Sequence, residues 1–180
     1  MSETSRLPLA VDLDGTLIRG DVFTMQLKRF LTRAPWRAPE LLLWFRRGRA
    51  YVKARLAAYA PDAATLPYDE RVLAWLRAER ARGRTIVLAS ASDRSAVEAV
   101  AKHVGLFNRV FASDGRTNLK ARRKAEALAA AFPQGFVYAG NESADLPVWE
   151  AAACVVLVNC DAALVRRCQS RFSIERSFPR

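Results

Sequence analysis

The stretch Leu9-Ala10-Val11-Asp12-Leu13-Asp14-Gly15-Thr16 closes an apolar run with two carboxylates two residues apart. On an extended strand alternate residues point to one side, so Asp12 and Asp14 can face the same ligand. One can then attack an electrophile while the other handles a proton. Gly15 permits a sharp turn, and Thr16 offers a hydroxyl and an N–H to an anion. An ordinary Asp-Gly turn has the same local sequence, so the weight of this pattern comes from polar groups farther along the chain. Ser90 ends the run Ile86 to Ala89, and Gly140, Asn141 and Asp145 follow the run Phe136 to Ala139. Lys120 and Lys124 stand near the start of the helix expected between them. Two carboxylates, a hydroxyl, a lysine and an Asn/Asp pair make little sense as core packing. They suit a phosphate and a hard cation, since Mg²⁺ takes oxygen ligands together with substrate oxygens.

These groups need strands to carry them. Leu9 to Asp14 reads as a short buried strand. The segment that follows is helical: Phe23, Leu27, Phe30 and Leu31 recur at helical spacing, and Leu41 to Arg47 and Tyr51 to Tyr59 make two further helices broken near Gly48. Pro35 and Pro39 punctuate it, Pro61 and Pro67 close it, and the whole reads as a helical cap inserted over the strand ends. Alternation then resumes. Val72, Leu73, Trp75 and Leu76 mark an amphipathic helix stopped by Gly83, and residues 85–89 form a strand. Ser92 is the expected N-cap of a helix running to about His103, with Ser95 and Glu98 as a second capping-type pair. Strands over 109–113, 136–139 and 155–158 are interleaved with helices over 121–132, 146–153 and 162–168. Such alternation implies a parallel sheet with right-handed crossovers, which binds ligands beyond the carboxyl ends of its strands. The basic tail from Arg166, with Phe172, Ile174 and Phe178, is left without a strand.

The 180 residues suit one domain, or a domain with a modest insertion, and 51% hydrophobic content supplies a core. The apolar run Leu41 to Phe45 is far too short to span a bilayer, and Met1 to Arg6 lacks the build of a signal peptide. Three cysteines give no disulfide framework, because Cys154 and Cys160 sit on or beside one strand and Cys168 is isolated; a reducing cytoplasm is the expected setting. A single histidine, His103, argues against zinc and reads as a packing residue, while Trp75 and Trp149 lie on core-facing stripes. The net charge of +11 favours anionic partners, and residues 17–65 hold ten Lys or Arg against three acids. Arg46, Arg47, Arg49, Lys53 and Arg55 admit three readings. They form a solvated helix face, they bind an anionic substrate group, or they meet anionic lipid with Trp36, Trp44 and Phe45 at the interface. Nucleic acid ranks last, for no binding motif or basic-aromatic groove pattern accompanies the charge.

The order of these parts resembles the haloacid dehalogenase superfamily of phosphatases and phosphotransferases. Asp12-Leu13-Asp14-Gly15-Thr16 is similar to its first motif, Ile86 to Ser90 to its second, Lys124 within Arg123-Lys124-Ala125-Glu126 to its third with Lys120 as the alternative, and Gly140-Asn141-Glu142-Ser143-Ala144-Asp145 to its acidic fourth. The resemblance implies an α/β, Rossmann-like three-layer sandwich with a five-stranded parallel sheet. It implies a core of residues 1–19 and 66–180 and a small helical cap of residues 20–65, placed as in phosphoserine-phosphatase-like members. It also implies a Mg²⁺-dependent phosphomonoesterase. Asp12 would be the nucleophile and Asp14 the acid and base. Ser90 and Lys124 would hold the phosphoryl oxygens, with phosphate contacts from Gly15, Thr16, Ala91 and Lys120. The Mg²⁺ would bind Asp12, Asp14, Asn141 and Asp145. Asn141 departs from the family's usual acid, so weaker metal affinity is expected.

Leu66-Pro67-Tyr68, Asn118-Leu119-Lys120 and Asp145-Leu146-Pro147-Val148-Trp149 are similar to one branch, the phosphatase-like domains associated with UbiA-type intramembrane prenyltransferases. That branch implies a phosphorylated small molecule or a lipid-linked phosphosugar, such as a phosphoribosyl lipid, as substrate. It implies a cytoplasmic setting, peripheral to the inner face of the membrane where the basic segment meets lipid. The competing reading is a catalytically weak or inactive module of the same fold that binds or regulates a membrane prenyltransferase.

Overall fold

A computed structural model describes residues 7–114 and 117–180, so Met1–Arg6, read above for signal-peptide character, lies outside the described residues. Strands β1 (Leu9–Val11), β2 (Ile86–Asp93), β3 (Arg109–Ser113), β4 (Val137–Gly140), β5 (Cys154–Val158) and β6 (Ile174–Phe178) form one sheet. Their order is β3-β2-β1-β4-β5-β6, and every neighbouring pair is parallel. Helices α4 (Glu70–Ala81), α5 (Arg94–Val104), α6 (Arg122–Ala131), α7 (Leu146–Ala151) and α8 (Ala162–Gln169) connect the strands after β1.

Alternation along each strand divides the core into two layers. Leu9, Val11, Ile86, Leu88, Val137, Ala139 and Val156 face Val72, Leu76, Val97 and Val100 of α4 and α5. Ala10, Val87, Tyr138, Val155 and Leu157 face Leu128, Trp149, Leu164 and Cys168 of α6, α7 and α8. Both faces of the inner strands are therefore covered, which is why they read as near-continuous apolar runs. Trp75 and Trp149 are buried as expected, the three cysteines are free and buried, and His103 stacks on Tyr68.

Three expectations are corrected. The sheet has six strands, because the tail contributes β6. Its Ile174-Glu175-Arg176-Ser177-Phe178 pattern is too polar to read as a buried strand, but the buried Arg84 guanidinium ties Glu175 to Glu79 of α4. The N-cap of α5 is Asp93 rather than Ser92, since β2 runs on through a register shift and carries Ser92 within it. Ser95 is bonded to that cap instead of forming one with Glu98.

Between β1 and α4 lie α1 (Val22–Arg33), α2 (Glu40–Arg46) and α3 (Arg49–Leu56). They close on a small core of Phe30, Ala34, Trp44, Val52 and Leu56, with Phe30 packed on Trp44 and Tyr59. Trp44, which one of the three readings of this segment placed at a lipid interface, is buried there. The chain enters and leaves this helical segment through paired backbone: Ile18 bridges Tyr68, Arg19 N–H donates to Pro67 O, and Asp69 N–H donates to Leu17 O.

Asp69 anchors this junction. Its fully buried carboxylate caps α4 and accepts from the Arg71 guanidinium and from Asn159. The Arg71 hydrogen bonds hold its pKa well below the ordinary carboxylate range. A depressed folded-state pKa adds stability above the unfolded value of about 3.9 and loses it as pH falls toward the folded one. Asp69→Asn should cost about 1–3 kcal/mol at pH 7 by urea unfolding, and the gap to wild type should narrow at pH 3. An equal gap at both pH values would contradict this account.

Candidate active site

The sheet reverses its strand order between β1 and β4, and at such a point the loops part to leave a crevice. Asp12 is the first residue beyond β1, and its N–H donates to Ala139 O of β4 at 2.9 Å. One oxygen of its buried carboxylate accepts from Lys124 Nζ at 2.6 Å. Lys124 sits in the first turn of α6. Ala121 just before that helix has a strained φ of 49°, and it lines the same cavity. Lys124 Nζ also donates to the Tyr138 hydroxyl at 2.8 Å, and that hydroxyl donates to Asp145 Oδ1 at 2.9 Å. The second Asp145 oxygen accepts from the N–H groups of Asn141 and Glu142. Gly140 makes this fold-back possible, for a Cβ there would lie 2.6 Å from Asp145 Oδ2.

Asp14 is held differently. Its Oδ1 accepts from Val22 N–H at 2.7 Å, in the first turn of α1, where the helix end favours negative charge. Its Oδ2 accepts from Ser92 Oγ at 2.8 Å and, more weakly, from Ser90 Oγ at 3.4 Å. Both catalytic candidates therefore have fixed carboxylates, one oriented by a lysine and the other by a helix N-terminus.

Charge here is unbalanced. Burial pushes the Asp12 carboxyl up to about 7, against the pull of Lys124 and reinforced by Asp145 and Asp14. Burial also raises Asp14, against the Val22 N–H. For Lys124 burial alone would favour the neutral amine, but Asp12 and Asp145 outweigh it and hold the ammonium above its ordinary pKa. The same carboxylates and burial raise the Tyr138 phenol, so it stays protonated as a donor. Buried oxygen donors in excess of their one lysine fit a hard divalent cation. Among the described residues no three or more His, Cys, Asp or Glu are grouped so as to hold a metal ion. Such a cation would thus take part of its shell from water or substrate, as Mg²⁺ commonly does.

A cavity of about 90 Å³ brings together Asp12, Asp14, Ala91, Lys120, Lys124 and Asp145, all named from the sequence. Lys124, not Lys120, makes the contact with Asp12; Lys120 stands at the wall. The other named residues do not line this cavity. Ser90 is fully buried, accepts from Ser92 N–H and supports Asp14. Thr16 is fully buried and donates to Asn141 Oδ1 at 3.3 Å. Asn141 packs on Gly15, whose φ of 76° and lack of a Cβ admit it, and both line a separate cleft with Arg19 and Arg71. The physical reason is competition: Asn141 satisfies its amide oxygen within the β1 loop rather than at the carboxylates.

Four residues at the site were not singled out as site residues, although Lys53 belongs to the basic run for which substrate contact was one of three readings. Tyr138 sits on an apolar strand where its hydroxyl needs a buried partner, a legible signal. Ser92 was read as a cap. Lys53 of α3 reaches across to Ala91 O at 2.5 Å, and Glu142 shares the cavity wall. Those two depend on how the helical segment and the loop after β4 lie over the sheet, which no local pattern encodes.

Residues 9–150 match the family described as haloacid dehalogenase-like hydrolase. The protein y4nM of Sinorhizobium fredii (strain NBRC 101917 / NGR234) is 42% identical over 159 residues, which is 85% of this chain but only 30% of that protein. A Bordetella pertussis Tohama I protein of unknown function shares the fold with a TM-score of 0.68 at 18% identity, over 93% of this chain and 97% of its own. A phosphoserine phosphatase solved as a phospho-aspartyl intermediate analogue has a TM-score of 0.63 at 15% identity, over 97% and 94%.

Tyr138→Phe should leave Lys124 and Asp145 each one partner short and cost about 1–3 kcal/mol in denaturant unfolding. A variant as stable as wild type would show that the hydroxyl does not hold this pair together.

Proposed function

The chain belongs to the haloacid dehalogenase-like hydrolases, and from that premise we propose that it hydrolyses phosphomonoesters through an aspartyl-phosphate. The observation that carries this reading is the pairing of Asp12 with Lys124 beside Asp14 in one small polar cavity. Lys124 holds one Asp12 oxygen, and the other attacks phosphorus as the P–O bond to the alcohol breaks. Asp14, steadied by Val22 N–H and Ser92, gives its proton to the leaving alkoxide. It then takes a proton from the water that attacks the acyl-phosphate, which releases phosphate and restores Asp12. Lys124, which lines the cavity, supplies a fixed positive charge for the transferring oxygens, where it stabilises developing charge. Mg²⁺ would be held by Asp12, the Asp14 main chain and Asp145, and would offset repulsion between carboxylate and phosphate, while Asn141, bonded to Thr16, lies outside this cavity.

In this reading residues 1–19 and 66–180 form the catalytic core and 20–65 a cap. The paired segments around Ile18 and Tyr68, and the separate apolar cluster of the helical segment, support that division. The alternative, an inactive module of the same fold, is separated by one assay. Wild type should hydrolyse an aryl phosphate with Mg²⁺, Asp12→Asn should fall to background, and Asp14→Asn should lose about 10²–10⁴-fold in kcat. No Mg²⁺-dependent turnover by wild type would favour the inactive module.

A lipid-linked phosphosugar is the substrate class favoured by the likeness to UbiA-associated domains, and a membrane-peripheral setting goes with it. Among the described residues the exposed large hydrophobics, Leu31, Trp36, Leu42, Leu43 and Phe45, all fall within residues 31–45. The exposed Arg33, Arg46, Arg47 and Arg49 accompany them, as on surfaces that meet anionic lipid. No described helix is long and apolar enough to cross a membrane. The chain should therefore float with vesicles of phosphatidylcholine and phosphatidylglycerol but not with phosphatidylcholine alone, and Leu42→Glu/Leu43→Glu should abolish flotation. Indifference to lipid charge, or flotation surviving the double variant, would remove lipid as the partner of this face.

A further inference from the structure

The cavity at Asp12 is small, about 90 Å³. A second cleft of about 410 Å³ shares the walls Asp21, Lys53 and Lys120 with it and opens between the helical segment and the sheet. Phe23 and Phe45 give this cleft an apolar lining, and Arg49 adds a third cation to Lys53 and Lys120. Against three cations stands only Asp21, whose carboxylate already accepts from Thr24 N–H at 2.6 Å as the N-cap of α1. Lys53 is half-buried, with its ammonium on Ala91 O. Arg49 and Lys120 have no side-chain hydrogen bond or ion pair among the described residues. Isolated surface cations are ordinarily just solvated. Here two unpartnered ones and a half-buried third converge on one hollow beside two phenyl rings.

We propose that this cleft is the leaving-group subsite and selects phosphomonoesters whose alcohol half carries a second anionic group on a partly apolar body. This rests on the reading that the Asp12 cavity takes the phosphoryl group. Arg49 supplies the planar fork that pairs with a carboxylate or a second phosphoryl group. Lys120 and Lys53 add charge on the side nearer the reacting phosphate, and Phe23 and Phe45 cover the apolar part. The chemistry required is the anion; whether it is carboxylate or phosphoryl is decided by separate ligands.

Calorimetry on the full chain with non-hydrolysable phosphonates tests this without turnover. Benzylphosphonate carries no second anion, 4-carboxybenzylphosphonate carries a carboxylate, and 1,4-xylylenediphosphonate carries a second phosphonate. At least one of the latter two should bind about tenfold more tightly than benzylphosphonate, as charged hydrogen bonds allow. Arg49→Gln, and separately Lys120→Gln, should each reduce that preference several-fold, with circular dichroism showing both variants folded. Equal binding of all three ligands by wild type, no binding of any, or a preference that survives both substitutions would overturn the subsite. Preference in binding without hydrolysis of an aryl phosphate would keep the subsite and sink the phosphatase reading. Hydrolysis without preference would do the reverse.

Discussion

More negative than positive charge is buried where β1 ends, and much of the surrounding structure answers to that constraint. Asp12, Asp14 and Asp145 gather around the single buried ammonium of Lys124. Carboxylates taken from water need partners or they take up protons, so each has been given its own support. Lys124 serves Asp12, the start of α1 and Ser92 serve Asp14, and Tyr138 with two backbone N–H groups serves Asp145. Those supports come from four elements, which explains why the sheet, α1, α6 and the loop after β4 must all be in register. What remains unbalanced is left for a cation and for the chemistry of an incoming phosphate.

The fold resolves a conflict between rigidity and access. The strands are covered on both faces, so the carboxylates project from a sheet end that cannot shift. The helical segment over them has its own small core, yet the start of α1 holds Asp14 and Lys53 of α3 reaches Ala91 O. The sheet end carries the carboxylates, and the helical segment steadies one of them while it covers the strand ends.

Much of this was legible in the sequence, for reasons that differ by region. The inner strands are short apolar runs punctuated by polar residues, so their alternation with helices and the convergence of Asp12, Asp145 and a lysine could be read directly, while Lys124 was preferred to Lys120 only through the family resemblance. β6 escaped because an edge strand with one covered face tolerates Glu175 and Arg176, and its partner Arg84 lies 91 residues away. Ser92 was misread as a cap because β2 extends through an irregular register that propensity does not see. Trp44 looked interfacial because the apolar run around it is short, and only the three-dimensional segment shows that it fills a core. Asn141 shows the finest limit: its position in the chain was clear, but its orientation was decided by a hydrogen bond to Thr16 and the space above Gly15.

The place of β1 in the sheet also bears on how the chain acquires its shape during synthesis. Its three residues pair with Ile86–Leu88 on one side and Val137–Ala139 on the other, so the central strand is made first and docked late. The helical segment emerges next and can collapse locally on Phe30 and Trp44, which shortens the effective loop that β1 must close. Asp12 meets Lys124 across 112 residues of sequence, so this ion pair can form only after three of the six strands and the start of α6 have been made.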